Sequence, residues 1–500
     1  MTISLVTRAD AYLNRPAIVD ADGTYSYDVL LRASAAVASA LLNGAADLKE
    51  KRVAFLVPSG FAYVATQWGI WRAGGIAVPL AMSHPPAELA HVLDDSDPTL
   101  VVAHPSCEER LSEVAQPRGL KVDRTSDMLR SAAAALPDFS ETRRAMMLYT
   151  SGTTGKPKGV VTTHAQIQAQ ITSLVEAWGW VDDDRILLVL PLHHVHGIVN
   201  VLSCALWSGA CCEMLQGFDA AETWRHLENR PLTLFMAVPT IYRRLIAAWE
   251  AASASEQEKM SAACGNLRLM VSGSAALPVS VLERWKEMTG HVLLERYGMT
   301  EIGMGLSNSL RGQRFPGSVG LPLPGVRARV VDDELIDVSP GSPGELLMEG
   351  PNVFSEYWRK PEETAASFHD GWFRTGDVVV LEEGRYRIMG RLSVDIIKTG
   401  GYKVSALEIE EVLRSHPAIQ ECAVVGASDL DWGEKVCVAV ELSDTYALEI
   451  GELRAWARDL LAPYKIPKEL EVVDSLPRNA MGKVTKPAVA EYFTQGTETD

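Results

Sequence analysis

Tyr149–His164 reads YTSGTTGKPKGVVTTH. Glycines at 152, 155 and 159 stand among five threonines, one serine and the lysines at 156 and 158. Glycine lets the backbone turn so that successive N–H groups face one concavity, an arrangement that suits phosphate oxygens. The hydroxyls of Thr150, Ser151, Thr153 and Thr154 add donors, and Lys156 and Lys158 add positive charge. A kinase-type P-loop is excluded by spacing, because GxxxxGK[ST] demands Ser or Thr after its lysine and Pro157 follows Lys156. A solvated surface loop is the bland alternative, and it has no use for glycines, hydroxyls and cations together.

Outward from this loop, short apolar runs alternate with segments of helical spacing through the first 300 residues. KRVAFLVP reads as a buried strand, FAYVATQWGIWRAGG as a helix stopped by glycines, and IAVPL as another strand. TLVVAHP, RILLVLP, TLFMAVP and LRLMVSG repeat the pattern of a strand closed by Pro or Gly. Such alternation predicts α/β layers with mostly parallel sheets, whose ligands gather at the carboxyl ends of strands. From about 310 to 390 the texture turns to short strands and turns, as in PGSVGLPLPGVRARVVDDELIDVSPGSPGELLMEG, which suits a barrel-like subdomain. Beyond it, helix SALEIEEVLRSHP, strands ECAVVGAS and EKVCVAVEL, and helix ELRAWARDLLAP predict a compact α+β module, with the tail TQGTETD fraying.

Five hundred residues exceed what one core usually organises. A formal charge of −17 opposes non-specific binding to nucleic acid or anionic lipid, so anionic ligands need local cations. Seven cysteines without CxxC spacing, three of them in VLSCALWSGACC, read as core packing in a reducing compartment without a metal cluster. The start MTISLVTRADAYLNRPAIVDADG lacks the marks of a signal or transit peptide, and no run of about 18 apolar residues occurs. A cytoplasmic location is expected.

YTSGTTGKPKG resembles the phosphate loop of the adenylate-forming superfamily, which holds acyl-CoA synthetases, luciferases and peptide-synthetase adenylation domains. ERYGMTE (295–301), WFRTGD (372–377), MGRLSVDIIKTGGYKVSALEIE (389–410) and LPRNAMGKV (476–484) resemble its later motifs, in order. The resemblance implies a large N-terminal domain over 1–390, built of flavodoxin-like layered sheets plus the small barrel-like part. A hinge at 391–394 and a small mobile α+β domain over 395–500 would follow.

It also implies two half-reactions. A carboxylate attacks the α-phosphate of ATP to give an acyl-adenylate, and the thiol of coenzyme A then displaces AMP. The barrier to the first step is largely charge crowding, so fixed cations and donors supply most of the help. By the resemblance, residues 150–158 (Thr150, Ser151, Gly152, Thr153, Thr154, Gly155 and Lys158 among them) hold the β- and γ-phosphates. Glu301 and Thr150 hold Mg²⁺, Tyr297 stacks on adenine, and Asp377 accepts the ribose hydroxyls. Gly273, Ser274, Ala275, Glu295, Gly298, Met299 and Thr300 join the nucleotide site, with Arg391, Lys398, Gly400 and Gly401 serving nucleotide or pantetheine. Lys483 bridges the reacting carboxylate and the α-phosphate, then swings out as the C-terminal domain rotates. Its exposure during that cycle would open it to a lysine acetyltransferase. Ser393 stands where many members carry Lys or Asp, and the run to Lys398 is one residue longer.

The acid is the next question. Arg296 precedes the motif tyrosine where many relatives carry a small residue. A cation there would be desolvated and unpaired beside a fatty acid. A second carboxylate would satisfy it through a fork-to-carboxylate bond of roughly 1.5–3 kcal/mol. The alternative pairs Arg296 with an internal acid such as Glu295. The motifs together resemble malonyl-CoA synthetases, which implies malonate (with methylmalonate) as substrate and Arg296 with Arg244 of VPTIYRRL as ligands of its distal carboxylate. His196 of LPLHHVHGIVN, Ser274 and Met304 would line the acyl pocket, with Lys483, Glu301, Thr150 and His196 as the catalytic set. His193, His194 and His196 also invite a zinc reading, which the lack of a neighbouring carboxylate or cysteine opposes. Other readings are a ligase for another small or aromatic acid, an adenylation domain loading a separate carrier protein, and a kinase or phosphate-binding regulator that uses the 150–158 loop and has no use for Lys483.

Overall fold

The computed structural model describes residues 3–150, 157–399, 402–429, 432–443, 446–478 and 483–493. Ser151, Gly152, Thr153, Thr154, Gly155, Lys156, Gly400, Gly401 and the tail 494–500 lie outside them. Internal contacts divide the chain into two units. The first comprises Met1–Pro316, Gly320–Arg327 and Met348–Phe373, and the second Gly317–Val319, Ala328–Leu347 and Arg374–Asp500.

Two sheets build the first unit. In one, the strands run in the order Glu356–Tyr357, Lys158–Thr163, Arg144–Thr150, Ile76–Pro79, Arg52–Leu56, Leu100–Ala103 and Val122–Arg124. In the other, the order is Leu321–Pro322, Gly303–Ser307, Leu294–Met299, Leu269–Ser272, Leu234–Ala237, Arg185–Leu188, Cys211–Met214, Pro16–Asp20 and Gly23–Ser26. The inner strands and the edge strand Val122–Arg124 pair in parallel, and the other outer strands pair antiparallel. Strands buried on both faces read as continuous apolar runs. This is why VAFL, LVVA, ILL, LFMA and LMVS were legible, and each is a strand. Helix Phe61–Arg72 follows the glycine-stopped run and buries Trp68 and Trp71. A Cβ on its Gly69 would sit 2.5 Å from Val37 Cγ1, so glycine lets helix Tyr27–Leu42 pack closely.

The strands flanking the Gly-rich loop form a hairpin, with Thr150 opposite Lys158. The second strand runs into helix His164–Trp178, opened by a capping box. Gln166 N–H donates to Thr163 Oγ1 (3.2 Å), and Thr163 N–H donates to Gln166 Oε1 (2.8 Å). His164 is 5% exposed, and burial lowers its pKa to about 3, helped by the nearby Arg143. Between about pH 6.5 and 3 the unfolded chain takes up a proton that this folded imidazole refuses, so stability falls as pH falls through that window. The loss is expected at about 1.4 kcal/mol per pH unit and should be absent above pH 6.5. Denaturant titrations at pH 7, 6 and 5 should show the His164→Gln variant flatter than the parent by that amount.

In the turn-rich region, Arg327–Val331, Pro343–Glu349 and Trp372–Glu382 pair in that order, with Arg385–Arg391 antiparallel to the last. The helix Pro361–Ala366 interrupts the expected run of strands and turns. Pro361 at its first position and Glu362 and Glu363 in its first turn favour it locally. In the second unit, Tyr402–Ser405, Ile396–Thr399, Gly433–Leu442 and Ile419–Asp429 form a sheet, with Glu469–Val472 parallel to Gly433–Leu442. Helices Ala406–Leu413 and Ile450–Ala457 lie where the sequence places them, and Val424, Val438, Ile409 and Leu453 are fully buried in its core. All seven cysteines are buried with free thiols, and burial raises those of Cys204, Cys212 and Cys422 above their usual range. No helix among the described residues is long and apolar enough to cross a membrane.

Candidate active site

Four neighbouring parallel strands of the first unit end side by side. Ala237, Ser272 and Glu295 share one register level, and Arg185–Leu188 flanks Leu234–Ala237. Each strand end delivers a residue singled out above. His196 opens the π-helix His196–Ser203 after the first strand, and π-turns are frequent at functional sites. Arg244 lies on helix Pro239–Glu250 after the second, Gly273 and Ser274 end the third, and Arg296 sits on the fourth.

Three of these join in a hydrogen-bond chain. Arg296 Nη2 donates to Ser274 Oγ at 3.2 Å, and Ser274 Oγ lies 3.1 Å from His196 Nδ1. Guanidinium only donates, so the serine oxygen accepts there, and the direction of its contact with Nδ1 follows the imidazole tautomer. Arg296 is 3% exposed, and its Nε and Nη1 have no hydrogen-bond partner among the described residues. Burial lowers its pKa from the usual arginine range to about 9. No carboxylate bonds this guanidinium among the described residues, so an internal partner does not offset that cost. Ser274 holds its position at φ 71°, a left-handed conformation costly for a residue with a side chain.

Glu301, also buried, accepts from the Tyr357 hydroxyl at 2.9 Å, and its carbonyl accepts from Phe354 N–H at 2.7 Å. Lys158 pairs with Glu363 and lies 5.1 Å from the Tyr357 ring centre. A single buried carboxylate oriented by a phenol suits Mg²⁺. That ion takes one or two protein carboxylates and completes its shell with phosphates and water. Met304 is buried, and its N–H donates to Gln170 Oε1 at 2.5 Å. A Cβ on Gly298 would meet Met304 Cε at 2.6 Å and Gly303 O at 2.0 Å, so the ERYGM strand and its partner touch backbone to backbone there.

Tyr297, Met299 and Thr300 are half-buried beyond Arg296, Glu295 is buried and Ala275 exposed. Arg244 is exposed. His193 stacks beside His194 at 4.0 Å between centres, and among the described residues no three His, Cys, Asp or Glu are placed to hold an ion. Tyr357, Glu363 and Gln170 escaped sequence reading. The dense polar run EYWRKPEE was the available signal for the first two, whereas Gln170 reaches a backbone 134 residues away.

In the second unit, Asp377 is gripped by Arg391, with Nε to Oδ1 at 2.9 Å and Nη2 to Oδ2 at 3.2 Å. A carboxylate offers about four lone-pair positions, and this fork takes two of them. Asp395 Oδ2 accepts from Arg391 N–H at 2.9 Å, and its Oδ1 meets Lys486 Nζ at 2.6 Å. Lys486 also meets Glu410 Oε1 at 2.8 Å. Lys483 is half-buried, three residues before Lys486. The base of its loop is closed by the Arg478–Val484 bridge and by Thr485 N–H donating to Pro477 O at 2.8 Å. Ser393 and Lys398 are exposed, and Lys398 N–H donates to Glu434.

Residues 5–358 match the family model of the AMP-binding enzymes, and residues 408–483 match that of the AMP-binding enzyme C-terminal domain. The chain belongs to the AMP-binding enzyme family. It is 46% identical to the mitochondrial malonate–CoA ligase ACSF3 of Xenopus laevis, over 98% of this chain and 92% of that one. The malonate–CoA ligase of Arabidopsis thaliana is 43% identical over 89% of this chain and 78% of its own. The crystal structure of ATP-bound MatB from Rhodopseudomonas palustris matches with a TM-score of 0.90 at 33% identity, covering 99% of both chains. The mixed α/β fold, with a large N-terminal and a smaller C-terminal part, is that of adenylate-forming enzymes.

Proposed function

We propose that the chain is an AMP-forming malonate–CoA ligase. It converts malonate (and methylmalonate), ATP and coenzyme A to malonyl-CoA, AMP and diphosphate through an enzyme-bound acyl-adenylate. The observation that carries the choice of acid is Arg296, a buried guanidinium with Nε and Nη1 unsatisfied among the described residues. The distal carboxylate of malonate supplies the missing acceptor, and acetate leaves the charge stranded. Arg244, Met304 and His196 complete the acyl pocket in this reading.

Residues 150–158 hold the β- and γ-phosphates, and Lys158 exchanges Glu363 for phosphate oxygen. Glu301 and Thr150 hold Mg²⁺, which neutralises phosphate charge when bound. Asp377 takes the ribose hydroxyls while Arg391 keeps it ionised and oriented. Lys483 offsets the charge that builds as the free carboxylate of malonate attacks the α-phosphate and diphosphate leaves. The coenzyme A thiol then adds to the acyl carbon and AMP departs, with Lys398, Gly400 and Gly401 along the pantetheine. Domains over 1–390 and 395–500, rotating about 391–394 between the half-reactions, belong to the same proposal. So do acetylation of Lys483 and a cytoplasmic location, although the animal relatives are named mitochondrial.

The test is CoA-dependent AMP formation with malonate, methylmalonate, succinate, acetate, propionate and benzoate. Malonate should lead, and Arg296→Ala should lower its kcat/KM by about 10–150-fold, the equivalent of roughly 1.5–3 kcal/mol. A leading monocarboxylate with an unaffected variant would make Arg296 structural and leave only the ligase chemistry.

A further inference from the structure

We propose that Gly273 and Ser274 determine acid specificity by seating the Arg296 guanidinium. The proposal rests on the assignment of Arg296 to the distal carboxylate. A Cβ built on Gly273 would lie 2.6 Å from Arg296 Cζ and 2.7 Å from both Nε and Nη1. The space a side chain would fill is already taken by the guanidinium. Gly273 has no left-handed φ among the positive-φ glycines, so its backbone would accept alanine. Glycine is needed here for room and not for backbone freedom.

Ser274 works from the other side. Its left-handed backbone, at φ 71°, accompanies an Oγ that bridges Arg296 Nη2 and His196 Nδ1. Strained residues persist where the surrounding structure over-determines them, commonly at ligand sites. Here the strain aims one hydroxyl. Gly273 fixes where the guanidinium plane lies and Ser274 fixes its rotation, leaving Nε and Nη1 unspent for the ligand. Both are positioning residues that act on substrate through Arg296.

The steric logic gives a clean variant. In Gly273→Ala the clashing group is the far end of a flexible side chain, so the arginine yields and the strand stays. Ordinary van der Waals separation requires a shift of roughly 1 Å, and a misplacement of that size at a positioned group costs on the order of 10²-fold. Steady-state kinetics of the full chain with malonate and with acetate, which is malonate lacking its distal carboxylate, read the effect. Gly273→Ala is expected to raise the malonate KM by about 10–100-fold, with a smaller change in kcat. The malonate-to-acetate ratio of kcat/KM should drop by at least about tenfold. Ser274→Gly removes the strain and the tether together, so its thermal midpoint should equal or exceed the parent's while the same ratio falls.

If Gly273→Ala lowers both acids in proportion, or neither, the seat is overturned. If Ser274→Gly keeps the parent's ratio, the tether is overturned. Arg296→Ala, run alongside, separates the two levels. If it leaves the malonate preference intact, the functional reading itself fails. If it removes the preference while Gly273→Ala is silent, only the seat fails.

Discussion

Lys486→Met is expected to destabilise the second unit by about 3 kcal/mol, the largest stability effect anticipated for a single substitution in this chain. Lys486 is 11% exposed and sits between Asp395 and Glu410, themselves 14% and 4% exposed. Burial alone would lower its proton affinity, yet the two carboxylates outweigh burial and the net shift is upward. Removing one partner of a buried ion cluster leaves uncompensated charge and costs about 3–5 kcal/mol. The lower end applies, because Asp395 keeps the Arg391 N–H and Glu410 keeps Val424 N–H and Arg414. Chemical denaturation followed by a probe in the second unit measures it, and an unchanged midpoint would refute the ion cluster's role. Adding Asp395→Asn and Glu410→Gln should return much of the loss, since neutral groups need no cation.

The largest catalytic effect belongs to Lys483→Ala. A preorganised group aimed at charge that develops in the transition state contributes about 2.7–4 kcal/mol, so kcat for adenylation should fall by about 10²–10³. The loop base closed by Arg478–Val484, with the Lys486 ion pairs just beyond, fixes the lysine backbone on both sides. Malonate-dependent exchange of labelled diphosphate into ATP reads the first half-reaction alone. Thioester formation from supplied malonyl-adenylate should stay within a few-fold of the parent. Equal loss in both assays, or exchange retained at the parent's rate, would place Lys483 outside the adenylation step.

The sequence displayed its layers because buried parallel strands are unbroken apolar runs. VAFL, LFMA and LMVS could be placed to within a residue or two, and the strand ends marked the candidate site loops, while Ser274 and Arg296 came from the motif resemblance. It displayed the ligase chemistry through motifs whose residues are contiguous. Contacts between residues far apart in the chain were hidden. Nothing in SGSAAL announces that Ser274 is left-handed or that Gly273 stands in the volume of a guanidinium 23 positions on. Tyr357 on Glu301 and Glu363 on Lys158 depend on antiparallel pairing of Glu356–Tyr357 with a strand almost 200 residues earlier. Lys486 looked like one more tail lysine until Asp395 and Glu410 were seen around it.

The seven buried thiols give the protein an internal clock. A thiol reagent reaches none of them until the backbone around it opens, so labelling rate reports opening frequency. Five of the cysteines (107, 204, 211, 212 and 264) belong to the first unit, and two (422 and 437) to the second. Peptide-resolved labelling of the unmodified chain therefore times the two units separately. In the Lys486→Met protein the last two should be labelled sooner while the first five keep the parent's pace.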